Sequence, residues 1–344
     1  MDKLKIAVIF GGASPEYDVS LESAYSVITH MDNSKYEVIM LGITPSGKWL
    51  HFKGSPEKIK NDSWNNPTYC IRAIISPCRK TQGILSGTYS EVKLDAAMPI
   101  LHGKNGEDGT FQGLLELAGI PIVGCKTLSS ALCMDKNRAH KIVSLSKIKV
   151  AQSIVVGIGS RVDATEIDKL GYPLFVKPVR AGSSFGITKV TCQSELPAAL
   201  ELAFRHDDNV IIQENIQGVE IGCAILGNDN PMVGALDEIE LTGDFFDYKQ
   251  KYTLEATEIH VPARISSDKT QEIIDITKKI YSALDCSGFA RVDMFLTPSG
   301  EIYFNEVNTI PGFTPHSRYA RMFDAIGVTY EQIIDTAIEQ AVNA

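Results

Sequence analysis

Two runs near the C-terminal end of the 344-residue chain carry four side chains suited to charge chemistry. Residues 289–296, FARVDMFL, and 301–308, EIYFNEVN, flank Thr297-Pro298-Ser299-Gly300. Pro second and Gly fourth suit a type I turn, so the runs are expected to pair as a hairpin. Centring the turn on Pro298-Ser299 sets Arg291 opposite Glu306 and Asp293 opposite Phe304. Alternate residues of a strand share a face, so Arg291, Asp293, Glu306 and Asn308 emerge together, with Val292, Met294, Ile302 and Val307 turned to a core. Two carboxylates and an amide make an oxygen-rich site for a hard divalent cation such as Mg2+, which keeps water and phosphate oxygens as ligands. A solvated face with an Arg291–Glu306 ion pair is the plain alternative. Thr309-Ile310-Pro311-Gly312-Phe313 follows directly, and a Pro-Gly turn there can bring backbone N–H groups to a reacting oxygen beside Arg291.

A second set is basic. Lys136, Lys177 and Lys251 come from separate segments, and Ser183-Ser184-Phe185-Gly186 forms a small-residue loop. Such a loop lets backbone N–H groups approach phosphate oxygens while Lys supplies point charges. Each Lys alone reads first as a surface cation, and the phosphate reading depends on the three converging. No GxxxxGK[ST] occurs, which excludes a Walker loop. A third set, Gly11-Gly12-Ala13-Ser14-Pro15-Glu16, is not a GxGxxG dinucleotide fingerprint. At the end of a strand and the start of a helix it still suits an anion or a zwitterion. Glu16 reads either as a helix-start residue favoured by the dipole or as a ligand for an ammonium group.

The elements that must position these residues alternate. Residues 4–10 are a buried strand and 20–30 a helix with Leu21, Ala24, Val27 and Ile28 at helical spacing. Strands are expected at 36–43, 96–101 and 120–124, with a helix over 111–117. That alternation predicts a parallel, helix-covered sheet over residues 1–127. One helix over 128–144 would carry Lys136. Strands at 173–178 and 187–190 would flank the 180–186 loop, followed by a helix over 195–204 and a strand over 209–213. The rest alternates strands at 222–226 and 301–307 with helices at 269–284 and 330–342. The polar, aromatic stretch 240–255 is long enough to be a functional loop. The division expected is 1–127, 128–215 and 216–344.

Composition narrows the classes. Lys+Arg 33 against Asp+Glu 42, a net charge of -9, argues against a general nucleic-acid binder. At 44% hydrophobic and 22% charged the chain is globular rather than disordered or fibrous. Seven cysteines without a CxxC pair suggest reduced thiols, not a disulfide framework. No stretch reads as a signal peptide or membrane span, so a cytoplasmic protein without a membrane partner is expected.

Seven motifs in order resemble the D-alanine–D-alanine ligases of the ATP-grasp superfamily: GGASPEYDVSLESA (11–24), LHGKNGEDGTFQG (101–113), ALCMDKNRAHK (131–141), FVKPVRAGSSFGITKV (175–190), FFDYKQKYT (245–253), RVDMF (291–295) and FNEVNTIPGFTPHSR (304–318). The resemblance implies an α/β and α+β fold: an N-terminal Rossmann-like domain and two α+β domains gripping ATP. It implies phosphate contacts from Lys136, Lys177 and Lys251, a flap containing Ser183 and Ser184, adenine contacts from Gln213, Glu214 and Ile216, and a ribose contact from Glu220. Gln213 stands where the family usually has Glu. Asp293, Glu306 and Asn308 match ligands of two Mg2+ ions, for which Mn2+ can substitute. Arg291 and the Gly312 N–H match an oxyanion-stabilising pair. Glu16 matches the carboxylate that holds the first substrate's ammonium, with His102 beside it and Ser183 and Tyr252 linked to it. Ser317 and Arg318 lie where the second substrate sits. A homodimer is implied by the resemblance alone.

The family's chemistry implies D-alanyl phosphate formed from ATP, then attack by a second amino acid. No His occurs between His206 and His260, and Lys251-Tyr252 is present, which speaks against an ester-forming acceptor such as D-lactate. Arg318 stands where D-alanyl-D-alanine ligases usually have Leu, and Phe246 where many have Tyr. Both resemble the D-alanine–D-serine ligases of G-type vancomycin resistance. An Arg can donate hydrogen bonds toward a hydroxyl. The alternative is an Arg318 that points to solvent and D-alanine as acceptor.

Overall fold

The computed structural model describes residues 3–88, 90–182, 185–241 and 257–343. Ser183, Ser184, Phe246, Lys251 and Tyr252, and nearly all of the expected 240–255 loop, lie outside them.

The first unit is built on β1 (Leu4–Gly11), whose Ile6 to Phe10 have no exposed surface. An unbroken apolar run of that kind needs cover on both faces, and α1 (Tyr17–His30) supplies it on one with Leu21, Ala24, Val27 and Ile28. β1 pairs in parallel with β2 (Tyr36–Ile43) on one side. Five further strands follow: β3 (Trp49–Phe52), β4 (Cys70–Ile75), β5 (Gly83–Ser86), β6 (Ser90–Lys93) and β7 (Ala96–Ile100), with α2 (Glu57–Lys60) after β3. The sheet order is β6-β5-β4-β3-β2-β1-β7. Only β2, β1 and β7 run parallel; β2 to β6 pair antiparallel. The expected all-parallel sheet is therefore a mixed one. Short hairpin strands such as Ser90–Lys93, mostly exposed, carry too few apolar residues to stand out in the sequence. The expected strand at 120–124 is reduced to one bridge, Ala97 to Ile122, after α3 (Thr110–Ala118).

The single helix expected over 128–144 is two: α4 (Thr127–Met134) and α5 (Lys136–Leu145). Asp135 breaks them with an extended backbone, and its carboxylate accepts from Arg138 N at 3.0 Å, capping α5. Lys136 thus opens a helix rather than riding in the middle of one. A four-stranded sheet follows, ordered β11-β10-β12-β9, from β9 (Ser153–Gly157), β10 (Leu174–Pro178), β11 (Thr188–Val190) and β12 (Asn209–Glu214), with α6 (Ala164–Leu170) and α7 (Leu196–Phe204).

The third sheet, ordered β15-β14-β13-β16-β17-β8, contains β13 (Val219–Leu226), β14 (Met232–Leu241), β15 (Thr257–His260), β16 (Phe289–Leu296) and β17 (Ile302–Asn308). Its edge is β8 (Lys149–Val150), so the segment holding α4 and α5 shares a core with this sheet through Cys133, Ala139, Val143 and Ile148. Beyond it come α8 (Ser267–Ala283), α9 (Arg318–Asp324) and α10 (Tyr330–Val342). Phe289, Phe313, Tyr319, Ile333 and Ile338 pack into the same core as Val8, Phe10 and Met98, joining the third sheet to the first. No described helix is long and apolar enough to cross a membrane.

Candidate active site

The β16–β17 hairpin forms as expected, with a different register. Gly300 N donates to Thr297 O at 2.9 Å, closing the type I turn, but Gly300 itself lies at φ +82 and adds a residue to the loop. Leu296 consequently faces Ile302. Beyond Met294–Phe304 a bulge takes Asn305 out of the ladder, so Asp293 pairs with Glu306 and Arg291 with Asn308. Each irregularity by itself would turn the two strands' side chains to opposite faces. Together they cancel, and the four polar residues do share a face, with Val292, Met294, Ile302 and Val307 in the core. His140 Nε2 lies 2.8 Å from the Asn305 carbonyl, holding the bulge against α5.

Asp293 is 1% exposed. The Arg291 guanidinium grips it with Nε at 2.8 Å and Nη2 at 2.7 Å, and Asn308 Nδ2 donates to it at 2.8 Å. The Arg291–Glu306 pair considered from sequence is thus replaced by Arg291–Asp293. Glu306 is paired instead with Lys136, at 3.4 Å, and Lys136 also donates to Ala181 O at 2.8 Å. One lysine at the start of α5 therefore touches both the third sheet and the 180–186 loop of the second. Lys177 lies on β10, opposite Ile211 of β12. On β12, Gln213 is buried, while Glu214 accepts from Gln152 N at 2.6 Å. Half-buried Ile216 lies in the 215–218 crossing from β12 to β13, which carries Glu220.

Glu16, His102, Arg291, Asn308, Gly312, Ser317 and Arg318 all line one cavity of about 370 Å3. Ser20 places Glu16: its hydroxyl accepts from Gly11 N at 2.8 Å and donates to Ile100 O, locking the start of α1 across β1 and β7. Glu16 is 6% exposed, and a Cβ on Gly103, which sits at φ +74, would overlap its carboxylate. His102 Nδ1 lies 3.0 Å from Ile310 O, and Nε2 is buried without a hydrogen-bond partner among the described residues. Burial pushes the His102 pKa down to about 4, so the ring is neutral near pH 7. Glu107, not singled out from sequence, joins this wall by accepting from Gly103 N at 2.7 Å and Ile310 N at 3.3 Å. Burial, then the Glu16 carboxylate, push it up to about 8. Its signal was present: it lies inside the HGKNGEDG loop.

Arg291 and Arg318 line the same cavity, each paired with buried carboxylates. Arg318 does not point to solvent. Its Nε and Nη2 reach Asp237 at 2.6 and 2.8 Å, Nη1 reaches Glu220 Oε1 at 3.3 Å, and Nη2 reaches Asp293 Oδ1 at 3.4 Å. Asp237 has no exposed surface and was missed in the sequence, because β14 was not recognised as a strand. Ser317 lines the cavity, although its hydroxyl accepts from Ala320 N, capping α9, and donates to Thr314 O at 2.8 Å. Carboxylates from the first unit and guanidinium groups from the third thus line one cavity. That polarity suits an α-amino acid zwitterion, ammonium toward Glu16 and carboxylate toward the arginines.

Two family models, D-ala D-ala ligase N-terminus and C-terminus, match residues 5–125 and 148–339. The chain belongs to the D-Ala–D-Ala ligase family. As a member it is an ATP-dependent ligase with the ATP-grasp fold, of the D-Ala–D-Ala or depsipeptide class that acts in cell-wall synthesis or vancomycin resistance. A D-alanine--D-alanine ligase of Caldicellulosiruptor bescii is 42% identical over 99% of this chain and 96% of its own. The vancomycin C-type resistance protein VanC1 of Enterococcus gallinarum is 43% identical, over 98% of each chain. The crystal structure of VanG D-Ala:D-Ser ligase from Enterococcus faecalis is 54% identical, covers 99% of this chain and 100% of that one, and superposes with a TM-score of 0.93.

Proposed function

We propose that this ligase joins D-alanine to D-serine, through D-alanyl phosphate, to make a peptidoglycan-precursor dipeptide of vancomycin resistance. The observation that carries the reading is Arg318: a buried guanidinium on the cavity wall in place of an apolar side chain. The VanG likeness supports it. An apolar wall would suit the methyl group of D-alanine, whereas a buried donor disfavours a ligand that leaves it unpaired.

In this reading the first D-alanine binds with its ammonium on Glu16, beside neutral His102, and its carboxylate toward Arg291. Its carboxylate oxygen attacks the γ-phosphorus of ATP, releasing ADP and forming the acyl phosphate. Lys136 and Lys177, with Lys251, Ser183 and Ser184, hold the triphosphate; positioning and charge neutralisation lower the barrier. Gln213, Glu214 and Ile216 take the adenine, and Glu220 the ribose. The D-serine amine, as the free base, then attacks the acyl carbon and phosphate leaves. Arg291 and the Gly312 N–H stabilise the tetrahedral oxyanion. Ser317 and Arg318 orient D-serine, with Phe246 and Tyr252 completing the site.

The paired carboxylates of Asp293 and Glu306 with the Asn308 amide fit a hard divalent cation. These three residues would hold Mg2+, or Mn2+, which would neutralise charge on the phosphate oxygens. Asn308 now donates to Asp293 through its nitrogen, and its oxygen is the atom a cation would take. The division proposed is 1–127, 128–215 and 216–344, with the α4–α5 segment and β8 packed on the third sheet. A cytoplasmic homodimer completes the reading.

The test is product identification with ATP, Mg2+ and equimolar D-alanine and D-serine at several pH values. D-Ala-D-Ser should predominate; predominance of D-Ala-D-Ala would replace this assignment with ordinary cell-wall synthesis. Phosphate release independent of any D-amino acid would contradict the ligase mechanism itself.

A further inference from the structure

We infer that Asp207 is a positioning residue for phosphoryl transfer: through Arg180 it fixes the 180–182 backbone, which sets Lys136 and completes the cavity wall at Glu16. This rests on the reading that Lys136 holds phosphate and Glu16 the donor ammonium. Asp207 sits in the turn from α7 to β12 and does not line the substrate cavity. Its side chain is 4% exposed, and its oxygens are spent on the anchor. Oδ2 accepts from Arg180 N at 2.7 Å and from Arg180 Nε at 3.2 Å. Oδ1 accepts from Arg180 Nη2 at 2.7 Å and from Asn209 N at 3.3 Å. Burial would push this carboxyl up, yet the Arg180 hydrogen bonds hold it below the usual carboxylate range. Arg180 is thus gripped by backbone and side chain at once.

The two residues after Arg180 show what the anchor serves. Ala181 O accepts from Lys136 Nζ at 2.8 Å, and the same Nζ lies 3.4 Å from Glu306. A lysine stem is flexible, so these two partners decide where the ammonium sits. Gly182 lines the cavity, and a Cβ on it would lie 3.4 Å from Glu16 Oε2. Three consecutive residues therefore meet the anchor, the phosphate lysine and the donor carboxylate. The far end of the 180–186 segment is tied to the same turn. Phe185 stacks on His206 with ring centres 6.2 Å apart, and a Cβ on Gly186 would overlap His206 Cδ2. Both ends rest on neighbouring residues, 206 and 207, so the α7–β12 turn sets where the segment lies. A misplacement of about 1 Å in such a site can cost about 100-fold in rate.

The test measures kcat, KM for ATP and phosphate released per dipeptide made, in the full-length enzyme and in Asp207→Asn, Arg180→Ala and the double variant. Asn keeps one oxygen for Arg180 N but loses the charge and the second oxygen that hold the guanidinium. Asp207→Asn should raise KM for ATP about tenfold and lower kcat. Phosphate should also exceed dipeptide, because a displaced 180–182 backbone admits water. Water attacks the acyl carbon of D-alanyl phosphate, the C–O bond to phosphate breaks, and D-alanine and phosphate are returned. Arg180→Ala should do the same, and adding Asp207→Asn to it should change either value less than twofold. A purely structural role would lower the melting temperature and the active fraction alone. KM for ATP and the phosphate-to-dipeptide ratio both within twofold of the parent in folded Asp207→Asn therefore overturn the inference. Should Asp207→Asn fail to fold, Arg180→Ala decides at a half-exposed side chain, by the same two values and the same limit. An unchanged KM for ATP in Lys136→Met overturns instead the reading of Lys136 as a phosphate ligand.

Discussion

Gly103→Ala should cost this enzyme its first substrate while leaving the chain folded. Gly103 lies at φ +74, where a side chain adds about 1–2 kcal/mol of strain. The new Cβ would overlap Glu16 Oε2 and lie 2.9 Å from Ser14 Oγ. The backbone has little freedom to yield. Gly103 N is held by Glu107 at 2.7 Å, and Gly103 O accepts from Gly106 N and Glu107 N at 3.1 and 2.9 Å. The Glu16 carboxylate must therefore move. Losing one charge-assisted hydrogen bond to an ammonium is worth about 1.5–3 kcal/mol. That corresponds to a fall of about 10- to 150-fold in kcat/KM for donor D-alanine. The assay is phosphate release at saturating ATP and acceptor with donor varied, beside thermal unfolding of the same preparation. KM for donor should rise, KM for ATP should not, and Glu16→Gln should add little when combined with Gly103→Ala. A folded Gly103→Ala enzyme whose donor kcat/KM stays within twofold of the parent would refute the placement of the ammonium on Glu16.

Other consequences concern charge and support. Because Glu107 is pushed from its ordinary range up to about 8, the folded state holds its proton more tightly than the unfolded chain. That contribution is full below the ordinary carboxylate range and is lost as pH rises through about 8. The melting temperature of the parent relative to Glu107→Gln should therefore decline from pH 5 to 9; a flat or rising difference would contradict it. His140→Leu leaves the partly buried Asn305 carbonyl without its donor and should destabilise by about 1–3 kcal/mol, with a raised KM for ATP because Glu306 is next in the strand. Unchanged denaturant midpoints would rule this out. Asp135→Ala removes the cap of α5 and should lower stability by about 1 kcal/mol, measured by urea unfolding. Since the acceptor attacks as a free amine, turnover should rise from pH 6 toward 9, and a steady fall in a folded enzyme would oppose that step.

How much of this was readable in the chain varies by element. Strand and helix positions that rest on apolar period were legible: 36–43 and 330–342 stand as expected. Strands β3, β5 and β6 were not, since four residues are too few for alternation to register, and in β4 the exposed Ile71 and Ile74 break it. The α4–α5 break was visible in principle, because Asp135 before an apolar-periodic run is a capping signal. His140, one turn beyond Lys136, could likewise have been placed on the same helix face.

Local chemistry, then, was decided by the sequence: which residues carry charge, which run buries, and that side chains two apart on a strand share a face. Those rules depend only on covalent geometry and so hold wherever the segment ends up. Cross-strand partners were decided by the tertiary structure. Gly300 added one residue to the hairpin loop, and the bulge at Asn305, held by His140 from a distant helix, added the second that returned Asp293 to Glu306. Asp237 shows the same division. Within β14 it is one acidic residue among several, and Arg318, 81 positions along the chain, supplies the paired charge that offsets its burial. Register and charge pairing are set by contacts between segments, and no spacing within one segment encodes them.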